Sequence, residues 1–287
     1  MAFSFWSSSH YKTCLIDPVN GYSTQRLEDV KIIGEQDYDK LMIFFTNFIQ
    51  ELATTVTSGK EKISMSVIAT AIVYFRRFYA KRSVKEIDPF LLAPTALLLA
   101  CKADEYGYLL TDRVVMRCNL MLRKYPFLSK DIVINLNLIQ EAEFYLIEIM
   151  DCSLIVFHPY RSLNSIIQDA KDFFTSEDRT DPFINSSSTS NGWDELIGNT
   201  TRYINDSYRC DVSLKYPPHK IALACMLMAL IGMEKETLFE EYYNGILTDS
   251  EGILDVSNEI FSMYNLWRDF NESIELPQIF KKVPRPE

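Results

Sequence analysis

Two stretches of this chain, 129 residues apart, read alike. Asp88-Pro89 leads Ala93-Pro94-Thr95-Ala96-Leu97-Leu98-Leu99-Ala100, and Pro217-Pro218 leads Ala222-Leu223-Ala224-Cys225-Met226-Leu227-Met228-Ala229. Each pairs a helix-opening proline with an almost wholly apolar helix. On this offset, Pro89 answers Pro218 and Lys102 answers Ile231. The repetition constrains the fold more than any other feature, because it calls for two similar helical units in tandem.

The rest of the pattern agrees. Residues 37–56 place Leu41, Phe44, Phe45, Phe48, Ile49 and Leu52 on one side, and 63–82 do the same with Val67, Ile68, Ala71, Ile72, Phe75, Phe78 and Tyr79. Such spacing is helical, not alternating. The third helix opens at Asp88-Pro89, and its internal Pro94 should bend it or delay its regular start. A weaker helix at 112–124 ends before Tyr125-Pro126, and a long one covers about 130–150. After residues 151–159 the pattern resumes at 160–174, 193–209, 217–233, 236–245 and 251–268. The expected architecture is all-α: an N-terminal helix and linker (1–36), a five-helix repeat (37–156), a second (157–270) and a C-terminal tail (271–287). The segment 57–65 and the polar run 185–192, Asn-Ser-Ser-Ser-Thr-Ser-Asn-Gly, read as surface loops.

Composition removes several function classes. Hydrophobic residues make up 47% and aromatics 13%, which excludes global disorder. The net charge of −10 argues against a nucleic-acid binder. The apolar stretches near 91–101 and 221–233 are shorter than a membrane span, and the first residues do not resemble a secretion signal. A soluble intracellular chain is expected. The six cysteines include no CxxC pair, and the nine glycines form no phosphate loop. Histidines 10, 158 and 219 lie far apart, with no HExxH pair, and no GxSxG elbow is present. His158 and His219 read as packing or capping residues. No catalytic site, metal or cofactor is expected.

Two charges stand out against this apolar background. Lys102 follows Leu91, Thr95 and Leu98 at helical spacing, and Glu143 lies in the stripe Ile132, Leu136, Ile139, Leu146, Met150. A charge on an apolar face is costly to bury unless paired. These two pair with each other, or they border a surface that a partner covers. The basic set Arg76, Arg77, Lys81 and Arg82 reads as a solvated face or intramolecular pairs.

Ser66–Tyr79, Cys101-Lys102-Ala103-Asp104-Glu105 and Glu141-Ala142-Glu143-Phe144-Tyr145-Leu146 resemble the second-helix, SKxEE and fifth-helix motifs of the cyclin family. Phe5-Trp6-Ser7-Ser8-Ser9-His10-Tyr11, Phe157–Arg161, Asn205–Arg209 and Leu214–Pro218 are similar to its cyclin C branch, the partners of the Mediator-associated cyclin-dependent kinase. The resemblance covers nearly the whole chain. It implies two tandem cyclin boxes and a non-catalytic subunit that activates the kinase by pressing in its αC helix. It also implies a nuclear role in RNA polymerase II transcription, beside other subunits of the Mediator kinase module.

The kinase-binding residues so implied are Lys102, Glu143, Asp104, Glu105, Phe144 and Tyr74. Trp6, Asn205, Asp206 and Tyr208 are implied as contacts of an N-terminal ledge or groove shared with another subunit. Asp104 departs from the glutamate usual in the family, and Leu41–Phe45 lacks the substrate-capturing patch of cell-cycle cyclins. Rival readings are another transcriptional cyclin, a core-promoter factor of the TFIIB type, which calls for a basic DNA-facing stripe, and an all-helical enzyme with an unfamiliar site.

Overall fold

The computed structural model describes residues 4–16, 21–56, 62–106, 111–125, 127, 133–175, 183, 192–246 and 250–283. The expected loops at 57–65 and 185–192 lie wholly or mostly outside these. Helices fall close to where the apolar spacing puts them. In the first repeat they are α2 (Glu35–Val56), α3 (Met65–Lys81), α4 (Pro89–Ala103), α5 (Thr111–Leu122) and α6 (Leu136–Ile149). In the second they are α7 (Pro159–Thr175), α8 (Gly192–Ser207), the single turn α9 (Val212–Lys215), α10 (Pro218–Gly232), α11 (Glu240–Ile246) and α12 (Ser250–Asp269). None of the described helices is long and apolar enough to cross a membrane.

Local chemistry sets the boundaries. Ser64 caps α3 by accepting from the Val67 N–H, and Asp88 caps α4 by accepting from Phe90. Asn135 caps α6 in the same way, so that helix starts at 136 and not near 130. Pro94 does not break α4, which is helical from Pro89 onward. The Phe90 carbonyl, deprived of its partner by Pro94, faces the weak thiol donor of Cys118 at 4.0 Å.

The two apolar helices sit where wholly apolar helices must. α4 packs against α2, α3, α5 and α6, and α10 packs against α7, α8 and α12. Phe44, Phe45, Phe48, Phe75, Phe78 and Phe90 fill the first core. The helix ends match across the repeats as well. Asp104 N bonds Ala100 O, Glu105 N bonds Lys102 O, and Tyr106 N bonds Cys101 O. In the second repeat Met233 N bonds Ala229 O, Glu234 N bonds Ile231 O, and Lys235 N bonds Leu230 O, each pair again 129 residues on. Glu105 and Glu234 both take left-handed backbone, with φ of 51° and 55°.

The expected N-terminal helix is present, preceded by two short turns, while the C-terminal tail differs from expectation. The N-terminal region carries a 3-10 turn (Phe5–Ser7), a π turn (His10–Cys14) and then α1 (Thr24–Ile33). The expected tail is in fact a helix, α13 (Glu272–Lys282), which contains Pro277 and returns to pack on α2. Phe280 stacks on Phe90 at 5.5 Å, so this last helix closes the first core.

The repeats are joined by charge. Asp211, buried at the start of α9, receives Arg26 Nη2 at 2.5 Å, Arg76 Nη1 at 2.7 Å and the Tyr22 hydroxyl at 2.7 Å. Arg76 also donates to the carbonyls of Tyr208, at 2.8 Å, and Arg209. Of the basic set, Arg76 and Arg77 are therefore buried structural residues, while Arg82 pairs loosely with Glu86 at 3.9 Å.

Candidate functional site

The end of α4 and the middle of α6 bring Lys102 and Glu143 together. The Lys102 ammonium lies 2.6 Å and 2.7 Å from the two carboxylate oxygens of Glu143. The pair is at the surface: the lysine side chain is 60% exposed, while the glutamate is 15% exposed. Both alternatives left open by the sequence are thus compatible, since the charges satisfy each other and still face solvent. Two of the three ammonium donors serve Glu143, which leaves one free to turn outward. Lys102 also stands in the last turn of α4, where the helix dipole favours a cation.

The neighbouring residues fall into two groups. Asp104, Glu105 and Phe144 are exposed, and Phe144 is the most exposed large apolar residue of the described chain at 77%. Beneath them lies a buried relay. Thr70 on α3 donates to Asp104 at 3.3 Å and meets His158 Nε2 at 2.9 Å, while His158 Nδ1 meets the Tyr208 hydroxyl at 2.7 Å. Burial, with the charge of Arg77 adding to it, pushes the His158 imidazole down to about 3, so it stays neutral. In the neutral ring one nitrogen donates and the other accepts, and the chain from Thr70 through His158 to Tyr208 ties the first repeat to the second. Partial burial raises Asp104 above the ordinary aspartate range against the opposing effect of Thr70.

Two expected contact residues are corrected by this arrangement. Tyr74 is fully buried, with its hydroxyl donating to Leu154 O at 2.5 Å, so it supports the linker from below and offers no surface. Tyr208 is likewise buried on His158. Their ring size fits the interior, and their hydroxyls find internal acceptors. Thr70 is the residue the sequence reading missed. It lies inside the quoted α3 motif, but a threonine on a buried face carries no local signal.

Trp6 is 54% exposed and packs edge-on to Phe5 and Tyr11, and at 5.4 Å on His219. It lines a groove of about 760 Å³ together with Ile155, Phe157, Tyr160, Arg161 and Pro218. Asn205 stands behind that wall, accepting from the Tyr160 hydroxyl at 2.6 Å. Asp206 serves Arg209 and Tyr264, each at 2.7 Å. The structure therefore gives Trp6 a groove but does not place Asp206 or Tyr208 in it. Ile155, exposed beside Trp6, was the unrecognised member. Among the described residues no group of His, Cys, Asp or Glu is arranged to hold a metal.

Residues 44–155 match the cyclin N-terminal domain, and residues 158–268 match a cyclin C-terminal domain. This chain belongs to the cyclin family. Over its full length it is 38% identical to Cyclin-C of Rattus norvegicus, covering 92% of that protein. It is 35% identical to Cyclin-C of Drosophila melanogaster, with 98% covered, and 34% identical to Cyclin-C of Caenorhabditis elegans, with 94% covered. The fold is shared with a chain of the yeast TFIIK (Kin28/Ccl1/Tfb3) complex, at a TM-score of 0.60 and 23% identity, covering 90% of this cyclin and 99% of that chain. A chain of the CAK complex of Chaetomium thermophilum bound to ATP-gamma-S has a TM-score of 0.67 and 16% identity, with 97% of this cyclin and 87% of that chain covered.

Proposed function

We propose that this cyclin is the non-catalytic, activating subunit of a cyclin-dependent kinase of the Mediator-associated type, acting in the nucleus on RNA polymerase II transcription. The observation that carries the reading is the exposed Lys102–Glu143 pair with Phe144 beside it. An exposed ion pair contributes only about 0–1 kcal/mol to folding, and an exposed phenylalanine contributes little more. Their placement is therefore better explained by a partner than by stability. Full-length likeness to Cyclin-C supports the choice of kinase, and a similar fold occurs in a chain of the yeast RNA Pol II CTD kinase CTDK-1 complex.

In this reading Glu143, held by Lys102, accepts from backbone N–H groups at the start of the kinase αC helix. The free donor of Lys102 reaches a backbone carbonyl, and Phe144 enters an apolar recess of the kinase. Charge-assisted bonds of this kind are worth about 1.5–3 kcal/mol each. The cyclin adds no atom to phosphoryl transfer. It holds αC inward so that the αC glutamate can pair with the ATP-positioning lysine of the kinase. The groove at Trp6 is the place for another subunit of the Mediator kinase module. The net charge of −10 speaks against direct nucleic-acid binding and against a TFIIB-type role.

The test is co-expression with the Mediator-associated kinase, comparing wild type with Lys102→Glu plus Glu143→Lys. The double exchange keeps an internal ion pair but reverses the charges shown to a partner. Loss of pull-down and kinase activity by a folded double variant supports docking through this pair. Equal binding by both proteins would refute it.

A further inference from the structure

Helix α5 turns to solvent a face that its own fold does not use. At helical spacing Arg113, Met116, Arg117 and Leu120 share one side of it, and Arg123 follows in the closing turn. All five are exposed, Met116 to 52% and Leu120 to 43%. Among the described residues no hydrogen bond or ion pair holds any of the three arginine side chains. Other surface cations do find carboxylates: Lys124, the next residue, reaches Glu51 at 2.5 Å, and Lys40 reaches Glu275 at 2.5 Å. Residues 111–124 hold four cations against one anion, Asp112, in a chain of net charge −10. Folding gains nothing from this arrangement. Like charges one turn apart, as Arg113 and Arg117 are, weaken a helix, and exposed apolar side chains gain little burial.

The face is built on firm ground. Val114, Cys118 and Met121, on the other side of α5, are buried in the first core. On its flank Asn119 donates through Nδ2 to Ile134 O at 2.8 Å and accepts from the Ile134 N–H at 3.0 Å. This two-way clasp lays the lead-in of α6 along α5 and extends the exposed apolar surface to Val133, which is 63% exposed. We propose that this face docks a short acidic segment of a partner protein. Its carboxylates pair with Arg113 and Arg117, and its apolar side chains cover Met116, Leu120 and Val133. The two arginines stand about 6 Å apart along the helix axis, at 1.5 Å per residue. Carboxylates one turn apart on a partner helix, or two residues apart on an extended segment, match that spacing. An arginine takes a carboxylate through two parallel bonds, which fixes the register. A nucleic acid fits less well. None of the six residues is an aromatic on which a base could stack, and the charge of the rest of the chain repels phosphates. The proposal uses neither Lys102 nor Glu143, so it stands apart from kinase docking at that pair.

The probe is a phage-displayed library of random peptides, selected on the full chain, alone and bound to its kinase. Selected peptides are synthesised and their affinities measured by fluorescence anisotropy. The expected result is enrichment of sequences that mix Asp or Glu with Leu, Ile or Phe, with affinity that falls as salt is added. Arg113→Glu plus Arg117→Glu should weaken these peptides at least about tenfold, with circular dichroism unchanged. Met116→Ser should weaken them too, which charge attraction alone does not explain. Arg113→Gln plus Arg117→Gln removes the charge without reversing it, and decides the matter if the reversed variant does not fold. Selection that yields no acidic peptide dependent on the two arginines would overturn the proposal. So would an RNA oligonucleotide that binds as tightly with the same dependence on them. Exclusion of the peptides by bound kinase would also overturn it, by assigning the face to the kinase interface. If no kinase complex forms, the measurements on the chain alone still decide.

Discussion

Replacing Asp211 by asparagine tests the joint between the repeats. Its carboxylate is the sole acidic partner of Arg26 and Arg76 among the described residues, and all three side chains are less than 10% exposed. Burial alone would raise its pKa, but the two guanidinium groups and the Tyr22 hydroxyl overcome this and hold it well below the usual carboxylate range. Asparagine keeps the shape but leaves two buried cations unbalanced. Breaking a buried pair by removing one partner costs about 3–5 kcal/mol. For a chain of this size that corresponds to a melting point lower by roughly 6–20 °C. Urea unfolding followed by circular dichroism measures the difference. Arg268→Gln is the control, because its pair with Asp269 is more than 70% exposed on both sides and should contribute under about 0.5 kcal/mol. A group with a depressed folded pKa stabilises above its unfolded value and loses that contribution as pH falls. The gap between wild type and Asp211→Asn should therefore shrink as pH falls below about 4. A gap no larger than that of Arg268→Gln, or one that does not close in acid, would refute the assignment of Asp211 as the charge that joins the repeats.

Three further outcomes are expected. Phe144→Ala should leave stability within about 0.5 kcal/mol while weakening kinase binding about 10–100-fold, measured by calorimetry, as for an aromatic anchor of an interface. Glu105→Gly and Glu234→Gly should each stabilise by about 1 kcal/mol in thermal melts, because each relieves a left-handed backbone, and only the first should weaken kinase binding. Tyr74→Phe orphans the Leu154 carbonyl and should cost about 1–2 kcal/mol of stability, with no loss of kinase affinity in the folded fraction.

The helices were legible because each carries an apolar stripe of the right period, and the paired prolines gave the 129-residue offset directly. What escaped the sequence depended on distant partners. Arg76 and Arg77 look like surface cations until Asp211, more than 130 residues on, meets the first of them. Tyr74 and Tyr208 look like candidate contacts until their hydroxyls find Leu154 and His158 inside. α13 was hidden by Pro277, since a proline within a short, charged segment argues against a helix. The Lys102–Glu143 pair was recognised as a pair of oddities, but only the packing of α4 on α6 shows that each is the partner of the other.

The duplicated helix end separates scaffold from function. The same backbone bonds close α4 and α10, down to a left-handed glutamate in both, so the shape of this corner is a property of the fold. The side chains mounted on it differ. The first copy carries Lys102 and Asp104, and the second carries Ile231 and Met233. Ile231 is half exposed with no ion pair to make, and its helix end folds just as well. The closing turn therefore does not need the Lys102–Glu143 pair to form. A corner that the fold uses twice, once without the charge and once with it beside an exposed phenylalanine, supports the docking role proposed for the charged copy.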